Sequence, residues 1–146
     1  MYTSKEMQVV AVTNRSLCHR PFPEQLEMVC QTHPAFIILR EKDLPAQEYE
    51  KLAAQVLELC HSYEVPCVLH TYPDAARALG CTSIHLPLPL LREYAHELND
   101  FTQIGSSVHS VEDAMEAERL GATYVTAGHV YVTDCKKGLA PRGLDF

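Results

Sequence analysis

The run Ala35-Phe36-Ile37-Ile38-Leu39, then PAQEYEKLAAQVLELCHSY at 45–63 and VPCVLH at 65–70, decides how the chain is read. Residues 35–39 are a continuous apolar run, the kind buried on both faces of a parallel sheet. In 45–63, Tyr49, Leu52, Ala53, Val56, Leu59 and Tyr63 recur at helical spacing, and Pro45 suits a first turn. Residues 65–70 read as the next strand. A helix between two apolar strands implies parallel pairing through a right-handed crossover.

The same alternation extends in both directions. Residues 8–13 read as a strand, and 22–30 as a short helix after Pro21 and Pro23. Residues 73–79 predict a short helix stopped by Gly80, and 83–86 a fourth strand. In 88–98, Leu91, Tyr94, Ala95 and Leu98 share one helical face. Residues 102–105 read as a fifth strand. Ser110 caps a helix over 111–120, with Asp113 as its capping-box partner and Gly121 at its end. Residues 124–127 read as a sixth strand, and 133–146 are polar with Gly and Pro.

Two architectures fit about six β-α steps: an open doubly wound sheet or a (β/α)8 barrel. No Gly-rich fingerprint follows the first strand, which weakens a dinucleotide-binding reading. Polar residues gather after the strands instead, at Asn14-Arg15, 40–42, His70, 106–109 and His129. That distribution is what a barrel shows. A complete barrel takes roughly 200 residues or more. The 146 residues therefore predict an α/β fold of the TIM-barrel type, incomplete, as one domain over 1–146 with the last two β-α units missing. Open sheet edges favour association, so a homo-oligomer or completion by another chain is expected.

Composition narrows the function classes. A net charge of -7 argues against a general nucleic-acid binder. The longest apolar run, 35–39, is far short of the about 20 residues that span a bilayer. Residues 1–10 lack the basic flank and apolar stretch of a signal peptide. A cytoplasmic protein without membrane or nucleic-acid partners is expected. Of the six cysteines, Cys18, Cys30, Cys60, Cys67, Cys81 and Cys135, no two form a C-x-x-C pair, and free thiols are expected.

Three clusters carry candidate chemistry. In Arg40-Glu41-Lys42, strand alternation places both cations on one face, as a phosphate or carboxylate site requires. The triplet reads equally well as a solvated charge run. In residues 105–110, His109 precedes a helix N-cap, where the dipole disfavours imidazolium. A neutral ring there can take and return a proton, and Ser107 with nearby amides can bind an anionic oxygen. By pattern alone, a surface histidine bonding its own loop is the commoner case. In residues 128–138, Lys136 and Lys137 lie beside hydroxyl and amide donors and suit an anion, or form a mobile basic loop. Cys135 beside the two lysines has no evident His or Asp partner for a nucleophilic role. His70, His85, His109 and His129 show no H-x-H or H-x-x-x-H spacing, so a metal site is not expected, and His85 reads as a satisfied core histidine.

Together these pieces resemble the thiamine phosphate synthase/thiazole tautomerase (TenI-type) superfamily. The matching segments are residues 39–44, Ile84-His85-Leu86, 104–110, and 128–138 with Arg142-Gly143. The resemblance implies a (β/α)8 barrel. The run from Gly128 to Gly138 is similar to the tautomerase branch, which implies a metal-independent proton shift that aromatises a thiazole phosphate carboxylate. It places the catalytic role on His109 and substrate contacts on Arg40, Lys42, Ser107, His129, Thr133, Cys135 and Lys136. No cofactor is implied. The synthase branch couples a pyrimidine pyrophosphate to thiazole phosphate with Mg²⁺ held by aspartates after strands three and four. This sequence has Leu69-His70-Thr71 and Pro87-Leu88-Pro89 there, which disfavours coupling. A further alternative is a non-catalytic or self-associating barrel that binds a thiazole or phosphate ligand.

Overall fold

The computed structural model describes residues 6–146, apart from the side chain of Cys135. The chain divides into two compact units, 1–81 and 82–146.

In the first unit, strands β1 (Val10–Val12), β2 (Phe36–Leu39) and β3 (Cys67–His70) alternate with helices α1 (Phe22–Gln31), α2 (Ala46–Ser62) and α3 (Pro73–Ala78). β1 pairs with β2 and β2 with β3, both parallel, with Val10 opposite Phe36 and Ile37 opposite Cys67. Ile37, Ile38, Leu39, Val68 and Leu69 are all buried, so successive residues on opposite faces of β2 and β3 are covered. α2 buries Tyr49, Ala53, Val56 and Cys60, a single stripe at spacings of four, three and four residues. Tyr49 does more than pack. Its hydroxyl donates to the Leu39 carbonyl and accepts from the His70 amide, both at 2.7 Å. One side chain thus satisfies the ends of two neighbouring strands from the helix between them.

In the second unit, β4 (Ser83–Pro87), β5 (Gln103–Val108) and β6 (Tyr124–Ala127) alternate with α4 (Leu88–Tyr94) and α5 (Val111–Arg119). β4 pairs with β5 and β5 with β6, again parallel. Ile84, Leu86, Leu88, Leu91, Leu98, Ile104 and Val108 form the core. The register sets His85 opposite Gly105 and Gly105 opposite Tyr124. A glycine between two large side chains leaves room for them to meet across it.

The expected elements are all present, with differences at their ends: the helix expected over 88–98 stops at Tyr94, and Ala95–Glu97 form a 3-10 turn. β5 runs to Val108, so Ser106 and Ser107 are strand residues rather than loop residues. β2 ends at Leu39, and residues 42–44 turn, with the Leu44 amide bonded to the Glu41 carbonyl. The strand alternation expected for Arg40 and Lys42 therefore does not extend to them. No helix of the described residues is long and apolar enough to cross a membrane.

Candidate functional site

In the first unit the polar groups after the strands are organised by Glu41, a buried carboxylate. It accepts from the Thr13 hydroxyl at 2.8 Å, the Arg15 amide at 2.7 Å and the Arg15 guanidinium at 3.1 Å. Arg15 also forms a two-pronged pair with Asp43 at 3.1 and 2.8 Å. That contact holds the Asp43 carboxyl below its ordinary value. Arg40 is half-buried, and its backbone amide donates to Thr13 Oγ1. Lys42 is exposed in the turn. After β3, Thr71 sits in the left-handed region at φ 73, which is costly for a β-branched residue. Its hydroxyl lies 2.6 Å from Nδ1 of the buried His70.

The second unit holds a pocket of about 280 Å³ lined by His109, His129, Lys136, Leu139, Ala140 and Arg142. Local structure explains how the residues arrive there. Ser110 Oγ accepts from the Asp113 amide, and Asp113 Oδ2 accepts from the His109 amide, both at 3.0 Å. This reciprocal cap starts α5 and fixes the backbone of His109. The His109 ring is held by Nδ1, 2.8 Å from the Gly128 carbonyl. A carbonyl only accepts, so Nδ1 carries the hydrogen and the neutral ring keeps its lone pair on Nε2. After β6 the chain leaves and returns: the Arg142 amide donates to the His129 carbonyl, and the Gly143 amide to the Val130 carbonyl. That closure brings Arg142 beside His129. Lys136 ends the short 3-10 turn Asp134–Lys136. His129 Nε2 is buried with no partner.

The structure thus brings His109, His129 and Lys136 to one pocket. Ser107 is not among its lining residues. Its hydroxyl bonds His85 Nε2 at 2.9 Å and the Thr126 hydroxyl at 3.2 Å. Thr133 is half-buried, and its carbonyl accepts from the Lys136 amide. The side chain of Cys135 lies outside the described residues. His85 is the core histidine expected, buried and bonded at both ring nitrogens. Sequence reasoning left Arg142 out of the site, because only the return of the chain places it there. It also missed Tyr124, whose hydroxyl lies 2.9 Å from His85 Nδ1. The mid-strand Gly105 was the available signal.

The family model described as thiamine monophosphate synthase matches residues 9–146. The chain belongs to this family. Among its relatives, the thiamine-phosphate synthases of Caldanaerobacter subterraneus subsp. tengcongensis and Clostridium acetobutylicum are each 30% identical over 90% of this chain. The enzyme of that name from Clostridium novyi is 32% identical over 91%. The chain covers 63%, 64% and 67% of these three relatives. The structure of a thiamine phosphate pyrophosphorylase from Pyrococcus furiosus is similar at TM-score 0.71 and 28% identity, over 87% of this chain and 62% of that one. These relatives overturn the expectation of a thiazole tautomerase, and with it the isomerase label. The expectation rested on a short run, 128–138, whereas the likeness to synthases extends over nine-tenths of the chain.

The Mg²⁺ that the synthase branch implies was tested against the residues present. It takes hard oxygen donors, chiefly carboxylates and water. β3 ends at His70, which is bonded to Thr71 just beyond it, and after β4 stand Leu88 and Pro89. No group of three or more His, Cys, Asp or Glu among the described residues is placed to hold a metal ion. Neither strand end offers the carboxylate oxygens that such an ion takes.

Proposed function

We propose that this chain serves the formation of thiamine phosphate, the product for which its relatives are named, and that its second unit supplies oxyanion contacts for a phosphorylated reactant. The observation that carries this reading is the pocket of His109, His129, Lys136 and Arg142, with one buried ring nitrogen lacking a partner. Two cations and an unpaired imidazole nitrogen in one concavity suit a phosphate or pyrophosphate. The Arg142 fork and the Lys136 ammonium supply charge-assisted hydrogen bonds. The His109 ring, anchored through Nδ1, presents Nε2 as a proton acceptor, or as a donor once protonated. Arg40 and Lys42 are oxyanion contacts of the first unit in this reading, and Thr133 is a substrate contact of the second. The alternation of parallel strands and helices within each unit is that expected of a (β/α)8-type barrel, and the likeness to the Pyrococcus furiosus structure supports it. The reading includes the cytoplasm as compartment and self-association or completion by another chain.

The test is calorimetric titration of the chain with inorganic pyrophosphate and thiamine phosphate, beside an assay of thiamine phosphate formation. Lys136→Ala and Arg142→Ala are each expected to weaken binding by about tenfold or more, since a charge-assisted bond contributes roughly 1.5–3 kcal/mol. Absence of binding by the unaltered chain, with no thiamine phosphate formed, overturns the reading.

A further inference from the structure

A four-residue polar chain runs across the second unit, on one face of β4, β5 and β6. Tyr124 bonds His85, His85 bonds Ser107, and Thr126 bonds Ser107. Space for it exists only because Gly105 lies beneath. A Cβ built there would stand 2.2 Å from Tyr124 Cζ and 2.4 Å from His85 Nδ1. The Tyr124 and His85 rings are 5.5 Å apart and tilted by 47°.

Hydrogen counting gives this chain a direction. Burial pushes the Tyr124 phenol above its ordinary value, so its hydrogen is retained at neutral pH. A phenol is a better donor than acceptor, and an imidazole nitrogen with its lone pair is a strong acceptor. Tyr124 then donates to Nδ1, which leaves the ring hydrogen on Nε2, aimed at Ser107 Oγ. Thr126 donates to the same oxygen. A hydroxyl oxygen has two lone pairs and one hydrogen. With both lone pairs engaged, Ser107 keeps its hydrogen for an outside acceptor. The opposite arrangement, with hydrogen on Nδ1, would turn the Ser107 hydroxyl inward onto Nε2 and remove that capacity.

We propose that Tyr124 and His85 are positioning residues that fix Ser107 as a hydrogen-bond donor to an anionic oxygen at the end of β5. The oxyanion rests on the phosphorylated reactant proposed above, whereas the ring tautomer does not. Tyr124 and His85 touch no ligand in this scheme. They act through the direction of one hydrogen bond.

The experiment uses the full chain labelled with ¹⁵N. Long-range proton–nitrogen spectra report which nitrogen of His85 carries hydrogen, with His85→Gln assigning the signal. The expected result is hydrogen on Nε2, with Tyr124→Phe increasing the fraction on Nδ1. Hydrogen on Nδ1 in the unaltered chain, or a tautomer indifferent to Tyr124→Phe, overturns the proposal. Pyrophosphate titration is the second readout. Ser107→Ala and Tyr124→Phe are each expected to weaken binding about five- to tenfold, one hydrogen bond's effect, with the double variant no weaker than Ser107→Ala. Losses that multiply in the double variant, or normal binding by Tyr124→Phe, overturn it. If the unaltered chain binds no pyrophosphate, the phosphorylated-reactant reading fails, and the tautomer still decides the roles of Tyr124 and His85.

Discussion

Gly105 shows how much one missing side chain can determine. It lies mid-strand, where glycine ordinarily weakens a sheet by leaving nothing to pack. Here that space holds the bond between Tyr124 and His85, and neither ring is the loose end of a flexible chain. Gly105→Ala is therefore expected to destabilise the chain by about 1–3 kcal/mol, the usual range for an extra methyl in a packed core. Urea denaturation followed by circular dichroism measures this, and an unchanged midpoint would mean the rings can yield. Other residues invert their apparent importance. Glu41, the one anion of the 40–42 triplet, is buried and ties Thr13 and Arg15 together. Its partners Thr13 and Arg15 lie 26 to 28 positions away, which a residue pattern does not mark.

At the scale of elements, the caps and strand ends position the candidate groups. The cap of α5 is legible before folding, because Ser110 and Asp113 have the spacing of a reciprocal pair. What it holds is not legible: the His109 amide is the group that Asp113 receives. Ser110→Ala is expected to cost about 1 kcal/mol in thermal stability, the usual loss at an N-cap. It should also weaken pyrophosphate binding, since His109 loses its fixed approach to the pocket. A variant with lowered melting temperature but normal affinity would separate the cap from the site. β5 offers the converse lesson. Ser106 and Ser107 look like loop residues in the sequence, yet the strand runs through them. His85 and Thr126, from the two neighbouring strands, both bond the Ser107 oxygen, so its polarity is no obstacle.

For the whole molecule, several buried groups link stability to alkaline pH, among them Cys67, whose thiol is raised by its hydrogen bond with Cys60 and by burial. Burial, with Cys60 as a lesser cause, pushes the Cys30 thiol up to about 12. Burial also raises the phenols of Tyr49 and Tyr124. In the unfolded chain a thiol ionises near about 8.5 and a phenol near about 10. The folded values are higher, so the folded chain retains these protons while the unfolded chain releases them. Their contribution to stability is complete below the unfolded values and is lost as pH rises through that window. Urea midpoints are expected to fall progressively between about pH 9 and 12, and the fall should be shallower in Cys30→Ala. Equal slopes in the two chains would remove Cys30 from the account.

Read alone, the sequence sets the order of strands and helices, their parallel sense and the resemblance to the family now shown. Apolar periodicity and turn residues are local, and a crossover helix leaves one sense of pairing. It also marked His109, His129 and Lys136, which the folded chain gathers in one pocket. It takes the folded chain to bring Arg142 to them, to bury Glu41 and to set Tyr124 against His85 over Gly105. Each of these depends on residues 19 or more positions apart, or on a chain folding back on itself. Contacts of that kind arise from strand register and loop closure, which a linear pattern constrains only after the partners are placed.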